Sequence, residues 1–330
     1  MKAVVLSAID NLSLTEIEKP KVSAGKSLIK ILACGICGTD RHIYKGEYPS
    51  GKPVILGHEF GGVIEEVCPS SKFKVGQVVS IDPNIVCAKC PDCIAGRTAF
   101  CPDLTALGVD INGGLAEYVL TPDTQIYPVR DGLNPHHLVF IEPVACSIRG
   151  LDLAGLKGGE RVAVLGGGVI GLLVVQLAKL AGASEIVLVT RQKFRRDVAL
   201  QIGATRVVDP KSECVSESVK NMDVTFECAG AVETFKEAQV ITRRGGSVIV
   251  LGLTAADTNL EINPFSIVVN ELRIQGSFLN PLTQARAAEI VGSGKLNLDI
   301  LISKVVGLDG VKAILDAPPA DGDIKYIVCP

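Results

Sequence analysis

The chain has 330 residues, which is enough for two domains of ordinary size, each with its own core. A hydrophobic content of 47% with few aromatic residues excludes a disordered or fibrous protein and favours a packed α/β protein. The net charge is −3, with acids and bases mixed along the chain, so nothing indicates a nucleic-acid partner.

The N-terminal segment and the cysteines predict the cellular location of the protein. Residues 1–16 turn polar after a few apolar positions, so we expect neither a secretory signal nor a membrane anchor. The longest apolar run, around Val169–Leu180, is interrupted by Gln176 and Lys179 and is too short to cross a bilayer. Eleven cysteines without an export signal predict reduced thiols and a cytoplasmic location.

Residues 1–140 form short segments in which apolar and polar positions alternate between turn residues. This pattern predicts an antiparallel domain resembling a β-barrel. The predicted strands are KAVVL, SLIKILAC, GGVIEEV, QVVSID and AEYVL.

Three separate segments hold a thiol, an imidazole and carboxyl groups. Cys37 lies in C-G-I-C-G-T-D-R-H, His58 and Glu59 lie in G-H-E, and Glu142 lies in E-P. A thiolate, an imidazole and a carboxylate would supply three ligands to a catalytic zinc and leave its fourth position open. Isolated cysteines and histidines are more often core or surface residues, so the spacing alone leaves both interpretations open.

Four cysteines, Cys87, Cys90, Cys93 and Cys101, follow the spacing C-x2-C-x2-C-x7-C. Such short separations let one lobe surround a single tetrahedral ion, and zinc favours closed sites made only of sulfur. A disulfide or redox role is the alternative, but C-x2-C suits metal ligation better. A saturated four-thiolate shell has no position for substrate, so this zinc would be structural.

From Arg161 onward, strand-like and helix-like segments alternate. The predicted strands are ERVAVLG, EIVLV, TRVVD, DVTFE and SVIVLG, and the predicted helices are VIGLLVVQLAKLAGA, FRRDVALQIG and ETFKEAQVITR. Alternation at this spacing predicts βαβ units that form a doubly wound parallel sheet.

The turn between the first predicted strand and the first predicted helix of this region matches the dinucleotide fingerprint G-x-G-x-x-G. Gly166, Gly168 and Gly171 stand at the required positions. It follows a hydrophobic strand and opens an apolar helix through Val169 and Ile170. The three glycines allow a tight turn, a close approach of pyrophosphate and close helix–strand packing. The free N–H groups of the helix N-terminus would bind the phosphates.

The second strand of this region predicts which dinucleotide is bound. An NAD site usually has an acidic residue there for the ribose hydroxyls, but this chain has Thr190 and then Arg191, with Arg195 close by. Guanidinium groups bind a 2′-phosphate through charge-assisted hydrogen bonds. We expect these three residues to form a 2′-phosphate pocket and NADP(H) to be preferred over NAD; a solvated basic helix start is the alternative.

Taken together, the motifs resemble the zinc-dependent medium-chain dehydrogenases, especially the polyol (sorbitol or xylitol) and threonine dehydrogenase branch. The resemblance covers nearly the whole chain in order: C-G-I-C-G-T-D-x-H, G-H-E, the four cysteines, G-G-x-A-E-Y, E-P and the glycine fingerprint. It implies a GroES-like catalytic domain over residues 1–145 and 279–330, with a Rossmann domain inserted at 146–278.

The resemblance also implies roles for single residues. Cys37 and His58 match catalytic zinc ligands, and Glu59 matches a glutamate that binds zinc in some states only. Glu142 stands where typical alcohol dehydrogenases have a cysteine and polyol dehydrogenases a glutamate. Thr39 matches the hydroxyl that accepts the alcohol proton, and His42 matches the histidine that relays it to solvent.

The resemblance also implies four further residues of the cofactor site. Cys228 follows a strand at the sheet edge where the cofactor is expected, Leu251 and Leu253 follow the next strand, and Phe278 is expected to border the substrate or nicotinamide. These four positions rest on the resemblance.

We therefore expect a zinc-dependent oxidoreductase that transfers a hydride between a polyol or sugar-derived secondary alcohol and NADP(H), as a homodimer or homotetramer. Threonine, another amino alcohol or a simple alcohol is the alternative substrate, and NAD the alternative cofactor. A zinc-containing sensor that binds a cofactor without turnover is the alternative from another class, and a zinc-free reductase is a third.

Overall fold

The computed structural model describes the whole chain, Met1–Pro330, which divides into two compact units. The first unit comprises Met1–Pro143 and Pro281–Pro330, and the second comprises Val144–Asn280. Strands and helices are numbered along the chain. None of the helices combines the length and the apolar character needed to cross a membrane.

The first unit consists mainly of strands. They are β1 (Lys2–Ala8), β2 (Asn11–Glu16), β3 (Lys26–Ile36), β4 (Val54–Ile55), β5 (Glu59–Glu66), β6 (Val78–Ile81), β7 (Asn84–Ile85), β8 (Thr105–Ala106), β9 (Tyr118–Pro122), β10 (Ile126–Pro128), β17 (Ile302–Val306) and β18 (Lys325–Val328). Its helices are α1 (Gly38–Lys45), α2 (Pro91–Ile94), α9 (Gln284–Gly292) and α10 (Val311–Asp316). Short 3-10 helices occupy Thr98–Phe100, Asp123–Gln125, Pro135–Phe140, Asp299–Leu301 and Leu308–Gly310.

The main sheet of this unit has seven strands in the order β10-β6-β5-β3-β18-β17, with β9 also pairing with β3. All pairs are antiparallel, as predicted, except the parallel pair β17–β18. Smaller sheets have the orders β2-β1-β4 and β7-β8. Because β3 lies between β5 and β18, strands from the two ends of the chain meet at the C-terminal end of β3. In the register there, Gly35 stands opposite both Glu59 and Ile327.

The second unit has the strands β11 (Arg161–Leu165), β12 (Glu185–Val189), β13 (Arg206–Val208), β14 (Met222–Glu227), β15 (Thr242–Val250) and β16 (Arg273–Gly276). Its helices are α4 (Val169–Leu180), α5 (Lys193–Ile202), α6 (Val215–Ser218), α7 (Val232–Ile241) and α8 (Pro264–Val269). Helix α3 (Ile141–Ala154) begins in the first unit and continues into the second.

The six strands form one sheet in the order β13-β12-β11-β14-β15-β16, and every pair is parallel. This is the doubly wound order, so the predicted parallel sheet is confirmed. The strand order reverses between β11 and β14, and ligands of such sheets bind beyond the carboxyl ends of the strands at that point.

Two predicted helix ends were wrong. The helix that follows the glycine fingerprint was expected to run to Ala183, but α4 ends at Leu180. The third predicted helix was expected to run to Arg243, but α7 ends at Ile241 and β15 begins at Thr242. The Thr242 hydroxyl donates 2.6 Å to the Ala238 carbonyl, and Thr242 pairs with Met222 in the sheet. A β-branched residue that closes the last helical turn and then joins a strand explains the early end.

Candidate metal centres and dinucleotide-binding loop

The four lobe cysteines are brought together, with their Sγ atoms all within 4.8 Å of one another. The chain turns around them by N–H···S contacts: Cys87 N to Cys101 Sγ is 3.4 Å, Cys90 N to Cys87 Sγ is 3.3 Å, and Cys93 N to Cys90 Sγ is 3.4 Å. Hydrogen bonds from the backbone of Lys89 and Cys90 lower the pKa of the Cys87 thiol to about 7. Donors aimed at sulfur thus favour the thiolate, the form that binds metals, at Cys87, whereas burial raises the pKa of the Cys93 thiol to about 12.

A second cluster contains Cys37, His58 and Glu59, whose ligand atoms also lie within 4.8 Å of one another. Cys37 follows β3 and caps the N-terminus of α1, His58 directly precedes β5, and Glu59 is the first residue of β5. Because β3 pairs with β5, residues 21 positions apart in sequence reach the same place. His58 and Glu59 are buried, whereas Cys37 is half-buried.

Asp40 lies beneath this cluster and is completely buried. Its carboxylate accepts hydrogen bonds from Cys37 N at 2.8 Å and Gly57 N at 3.3 Å, and it lies 3.4 Å from His58 Nδ1. Burial alone would lower the pKa of His58, but the charges of Asp40 and Cys37 outweigh it and hold that pKa well above its usual range. The Asp40 carboxylate approaches His58 Nδ1 without a hydrogen bond to it, and this nitrogen is buried without a hydrogen-bond partner.

Lys325 is also part of the cluster. It opens β18, is only 1% exposed, and its Nζ forms an ion pair with Glu59 Oε2 and donates 3.2 Å to the Ile36 carbonyl. Burial lowers the pKa of a lysine, but Glu59 and Cys37 raise the pKa of Lys325 above its usual value. A Cβ at Gly35 would lie 2.5 Å from Glu59 Oε2 and 2.7 Å from Lys325 Cε, so the glycine makes room for the pair.

Of the other residues predicted for this site, Thr39 lies next to Cys37, whereas Glu142 and His42 lie outside the close cluster. Glu142 is buried in the first turn of α3, but the close cluster does not include it. Thr39 Oγ1 lies 3.7 Å from Cys37 Sγ. His42 is exposed on α1, with Nδ1 2.6 Å from Glu47 Oε2. For Tyr44, also on α1, the sequence is compatible with a substrate-facing position and equally with a packed aromatic; it is 1% exposed and packs in the core.

The glycine loop lies at the carboxyl end of β11, where the fingerprint requires it. Gly166 has φ of +111°, and a Cβ there would lie 2.8 Å from the backbone of Ala229, so this turn needs glycine. Gly171 leaves no room for a side chain against the Gly166 carbonyl. Gly168 is the N-cap of α4, and Val169 and Ile170 form its half-buried first turn, with N–H groups available to an anion.

The predicted 2′-phosphate residues follow β12 next to this loop. A Cβ at Gly167 would lie 3.0 Å from Thr190 Oγ1, so the buried Thr190 side chain packs on the glycine turn. Arg191 is exposed, and Arg195 is half-buried in the first turn of α5. Arg196 donates 2.7 Å to the Thr190 carbonyl and pairs with Asp209 at 2.9 Å, which fixes the start of this segment.

The remaining predicted cofactor positions lie in the second unit as well. Cys228 follows β14 and is half-buried, and burial together with the charge of Glu227 raises the pKa of its thiol well above the usual value. Leu251 follows β15 and is half-buried, whereas Leu253 is 66% exposed and Phe278 is 42% exposed. All four follow the carboxyl ends of strands.

Two family models match this chain: the alcohol dehydrogenase GroES-like domain over residues 23–131 and the zinc-binding dehydrogenase domain over residues 169–291. The chain belongs to the zinc-dependent medium-chain dehydrogenases. The predicted combination of a GroES-like domain and a Rossmann sheet is therefore confirmed.

Relatives of this dehydrogenase come from the polyol and threonine branch. Sorbitol dehydrogenase of Bacillus subtilis is 30% identical over 94% of this chain and 91% of its own length. L-threonine 3-dehydrogenase of Pyrococcus horikoshii is 34% identical over 90% of this chain and 88% of its own length. The structure also matches the crystal structure of a protein of Sinorhizobium meliloti, described as a zinc-binding dehydrogenase and bound to NADP. The TM-score is 0.98 with 43% identity, over 100% of this chain and 99% of that one.

Sequence reasoning missed two residues of this dehydrogenase's Cys37 cluster. Asp40 had a signal, because it lies three residues after Cys37 in C-G-T-D, and buried carboxylates commonly orient metal-ligating histidines. Lys325 had only a weak one: a lysine at the start of the apolar segment K-Y-I-V. Its partner Glu59 is 266 residues away, and only the pairing of β18 with β3 brings them together.

Proposed function

We propose that this protein is an NADP(H)-linked, zinc-dependent dehydrogenase of a polyol or sugar-derived secondary alcohol. The observation that carries the proposal is the cluster of Cys37, His58 and Glu59, in a chain that also holds a complete glycine fingerprint. Three unlike donors are the set that binds a catalytic zinc and leaves a position for substrate. A closed four-cysteine lobe alone would support a structural role only.

The donor chemistry of both clusters fits zinc. Cys37, His58 and Glu59, with Glu142 as a further candidate ligand, would hold the catalytic ion, and the four lobe cysteines would hold a structural one. Zinc in the first site would supply a Lewis acid that lowers the pKa of an alcohol. Asp40 would orient His58 for ligation through its charge, and Lys325 would balance the charge of Glu59.

The proton of the alcohol would leave through Thr39 and His42. Thr39 lies beside Cys37, where its hydroxyl can accept the proton. His42 is exposed and can release the proton to solvent, and Glu47 orients its ring through Nδ1. The bound dinucleotide would supply the hydride acceptor, so that one secondary alcohol and one oxidised cofactor would give one ketone, one reduced cofactor and one proton.

NADP(H) is the proposed cofactor because residues 190–196, directly after β12, include four cations and no carboxylate for a ribose. Thr190, Arg191 and Arg195 would surround the 2′-phosphate. The Sinorhizobium meliloti protein, 43% identical over nearly its full length, was crystallised with NADP, which supports this choice.

A polar substrate is proposed because Glu142 stands where a thiolate would make a softer site, and because relatives are named for sorbitol and arabinitol. Threonine is the second candidate, since several threonine dehydrogenases are 32–34% identical to this chain.

The proposal is tested by assaying the zinc-replete protein against polyols, threonine and butanediol with NADP and with NAD. We expect turnover of a polyol with the higher kcat/KM for NADP. Turnover of threonine alone would replace the substrate class. Tight cofactor binding without turnover of any alcohol would replace the enzyme by a cofactor sensor.

The cofactor part of the same assay uses Arg191→Ala. Loss of a charge-assisted contact with the 2′-phosphate should lower kcat/KM for NADP by about tenfold to thirtyfold and leave that for NAD unchanged. Lys193→Ala is the matched control, because Lys193 is an exposed cation of the same segment that pairs with Asp197 at 2.7 Å. Equal effects of both variants would indicate a general surface charge instead of a pocket.

The proposal includes assembly into a homodimer or homotetramer. Strand β16 is an edge of the six-stranded sheet, and the preceding helix α8 exposes Phe265 at 73% and Val268 at 72%. An open edge beside apolar side chains is a surface that proteins usually cover. Light scattering should give a multiple of the 34.7 kDa chain mass, and Val268→Asp should reduce it. A wild-type mass of one chain would contradict this part.

A further inference from the structure

Glu227 ends strand β14, next to β11 at the edge of the sheet where the cofactor is predicted. It is 1% exposed. Its Oε1 accepts three hydrogen bonds, from Ala229 N at 2.9 Å, from Gly230 N at 2.9 Å and from Thr234 Oγ1 at 2.7 Å. One carboxylate oxygen thus joins the turn after β14 to the first part of α7.

The backbone of Glu227 joins the next strand to the same place. Its carbonyl accepts hydrogen bonds from Leu251 N at 2.8 Å and Gly252 N at 3.0 Å, just beyond β15. A Cβ at Gly252 would lie 2.5 Å from Glu227 Oε2, so the segment after β15 lies against the carboxylate itself. Glu227 therefore holds the segments that follow two neighbouring strands.

The turn that Glu227 holds packs on the glycine fingerprint. A Cβ at Gly166 would lie 2.8 Å from both Cys228 C and Ala229 N, and Cys228 N donates 2.8 Å to the Leu165 carbonyl. The turn of residues 228–230 is thus fixed on one side by Glu227 and forms, on the other, a wall of the glycine loop. Movement of this turn would change the shape of the loop that receives the pyrophosphate.

We propose that Glu227 is a positioning residue for the dinucleotide site. This inference rests on the proposed function, since it assumes that the glycine loop binds NADP(H). In this role the carboxylate would act through the protein: it holds residues 228–230 against Gly166 through the two amides and holds α7 through Thr234. Preorganised contacts of this kind set affinity because binding then orders less of the protein.

The experiment compares wild-type protein with Glu227→Ala and Glu227→Gln by fluorescence titration with NADPH and by steady-state kinetics. Glu227→Ala frees three donors and should weaken NADPH binding and raise KM for NADP by about tenfold, with kcat at saturating NADP and KM for the alcohol unchanged. Glu227→Gln keeps an oxygen that can accept the same three bonds, and should stay within about threefold of wild type. Hydrogen exchange at Ala229 and Gly230 should accelerate in the alanine variant only.

A matched threonine pair keeps the test decisive if Glu227→Ala does not fold. Thr234→Val removes one donor to the carboxylate and should weaken NADPH binding about threefold. Thr225 lies on β14, as Glu227 does, and its hydroxyl forms a hydrogen bond of 2.7 Å with that of Thr242. Thr225→Val removes this bond and should lower the stability of the protein without changing its affinity for NADPH. Equal NADPH affinity in wild type, Glu227→Ala and Thr234→Val would overturn the inference alone. Failure of the wild-type protein to bind NADPH or NADH would overturn the proposed function, and this inference with it.

Discussion

Replacing Cys37 with alanine should abolish alcohol turnover while the protein still folds. Cys37 supplies the only thiol of the Cys37–His58–Glu59 cluster, and an imidazole with one carboxylate is a much weaker zinc site than the three donors together. Without the metal, an alcohol keeps its high pKa, so we expect kcat/KM to fall by at least about three orders of magnitude. Because Cys37 is half-buried and lies outside the hydrophobic core, the thermal midpoint of the metal-depleted protein should change little.

Metal analysis gives this variant a second readout. The wild-type protein should contain two zinc ions per chain, one for each cluster, and Cys37→Ala should contain one. Cys68→Ala is the matched control: Cys68 is a buried cysteine of the same unit, but its Sγ lies 3.4 Å from Ser70 Oγ instead of in either cluster. It should keep both metals and full activity. Undiminished turnover in Cys37→Ala would show that the catalytic zinc was assigned to the wrong residues.

The class of both folds followed from local sequence because the longer strands and helices carry their own signals. Alternating segments such as S-L-I-K-I-L marked β3, and the glycine fingerprint after V-A-V-L marked both β11 and the start of α4. The parallel order of the sheet then follows from general rules of βαβ connection. The end of α7 was missed because Thr242 is compatible with both a helix end and a strand start, and its pairing with Met222 decides between them.

The candidate site was predictable only as far as its residues lie in motifs. The lobe cysteines are marked by their spacing, whereas Cys37 and His58 are marked by the motifs of the family resemblance, and the structure brings each set together. The functions of Asp40, Lys325 and Glu227 depend instead on which strand ends meet in the fold. The pattern of apolar and polar residues within a single segment does not show this. The sequence also could not show that Tyr44, on the same helix as His42, turns into the core, where its hydroxyl meets the Asp10 carbonyl at 3.3 Å.

The second large effect is expected for Lys325→Met, which leaves the Glu59 carboxylate buried without its cation. Both side chains of this ion pair are at most 3% exposed, and removing one partner of a buried pair costs about 3–5 kcal/mol of unfolding free energy. The raised pKa of Lys325 means that its contribution is fully present below the pKa of an unfolded lysine and is lost only as pH rises through the folded value. Urea denaturation of the chelator-treated protein at neutral pH therefore measures the whole effect.

A double-mutant cycle separates this ion pair from simple packing. Glu59→Gln alone leaves a buried lysine, whereas Glu59→Gln with Lys325→Met removes both charges. The double variant should therefore be more stable than Lys325→Met, with a coupling free energy of about 2–3 kcal/mol. A coupling near zero would mean that Lys325 stabilises β18 through its aliphatic chain alone.

Repeating the cycle in the zinc-replete protein tests what Glu59 does when the metal is present. If Glu59 is a zinc ligand, the metal replaces Lys325 as its cationic partner, and Lys325→Met should cost less than in the chelated protein. If Glu59 stays with Lys325, the cost should be the same in both states. Glu59 opens β5 and Lys325 opens β18, and both strands pair with β3. Either result therefore shows whether Lys325, from the C-terminal strand, still pairs with Glu59 when zinc is bound.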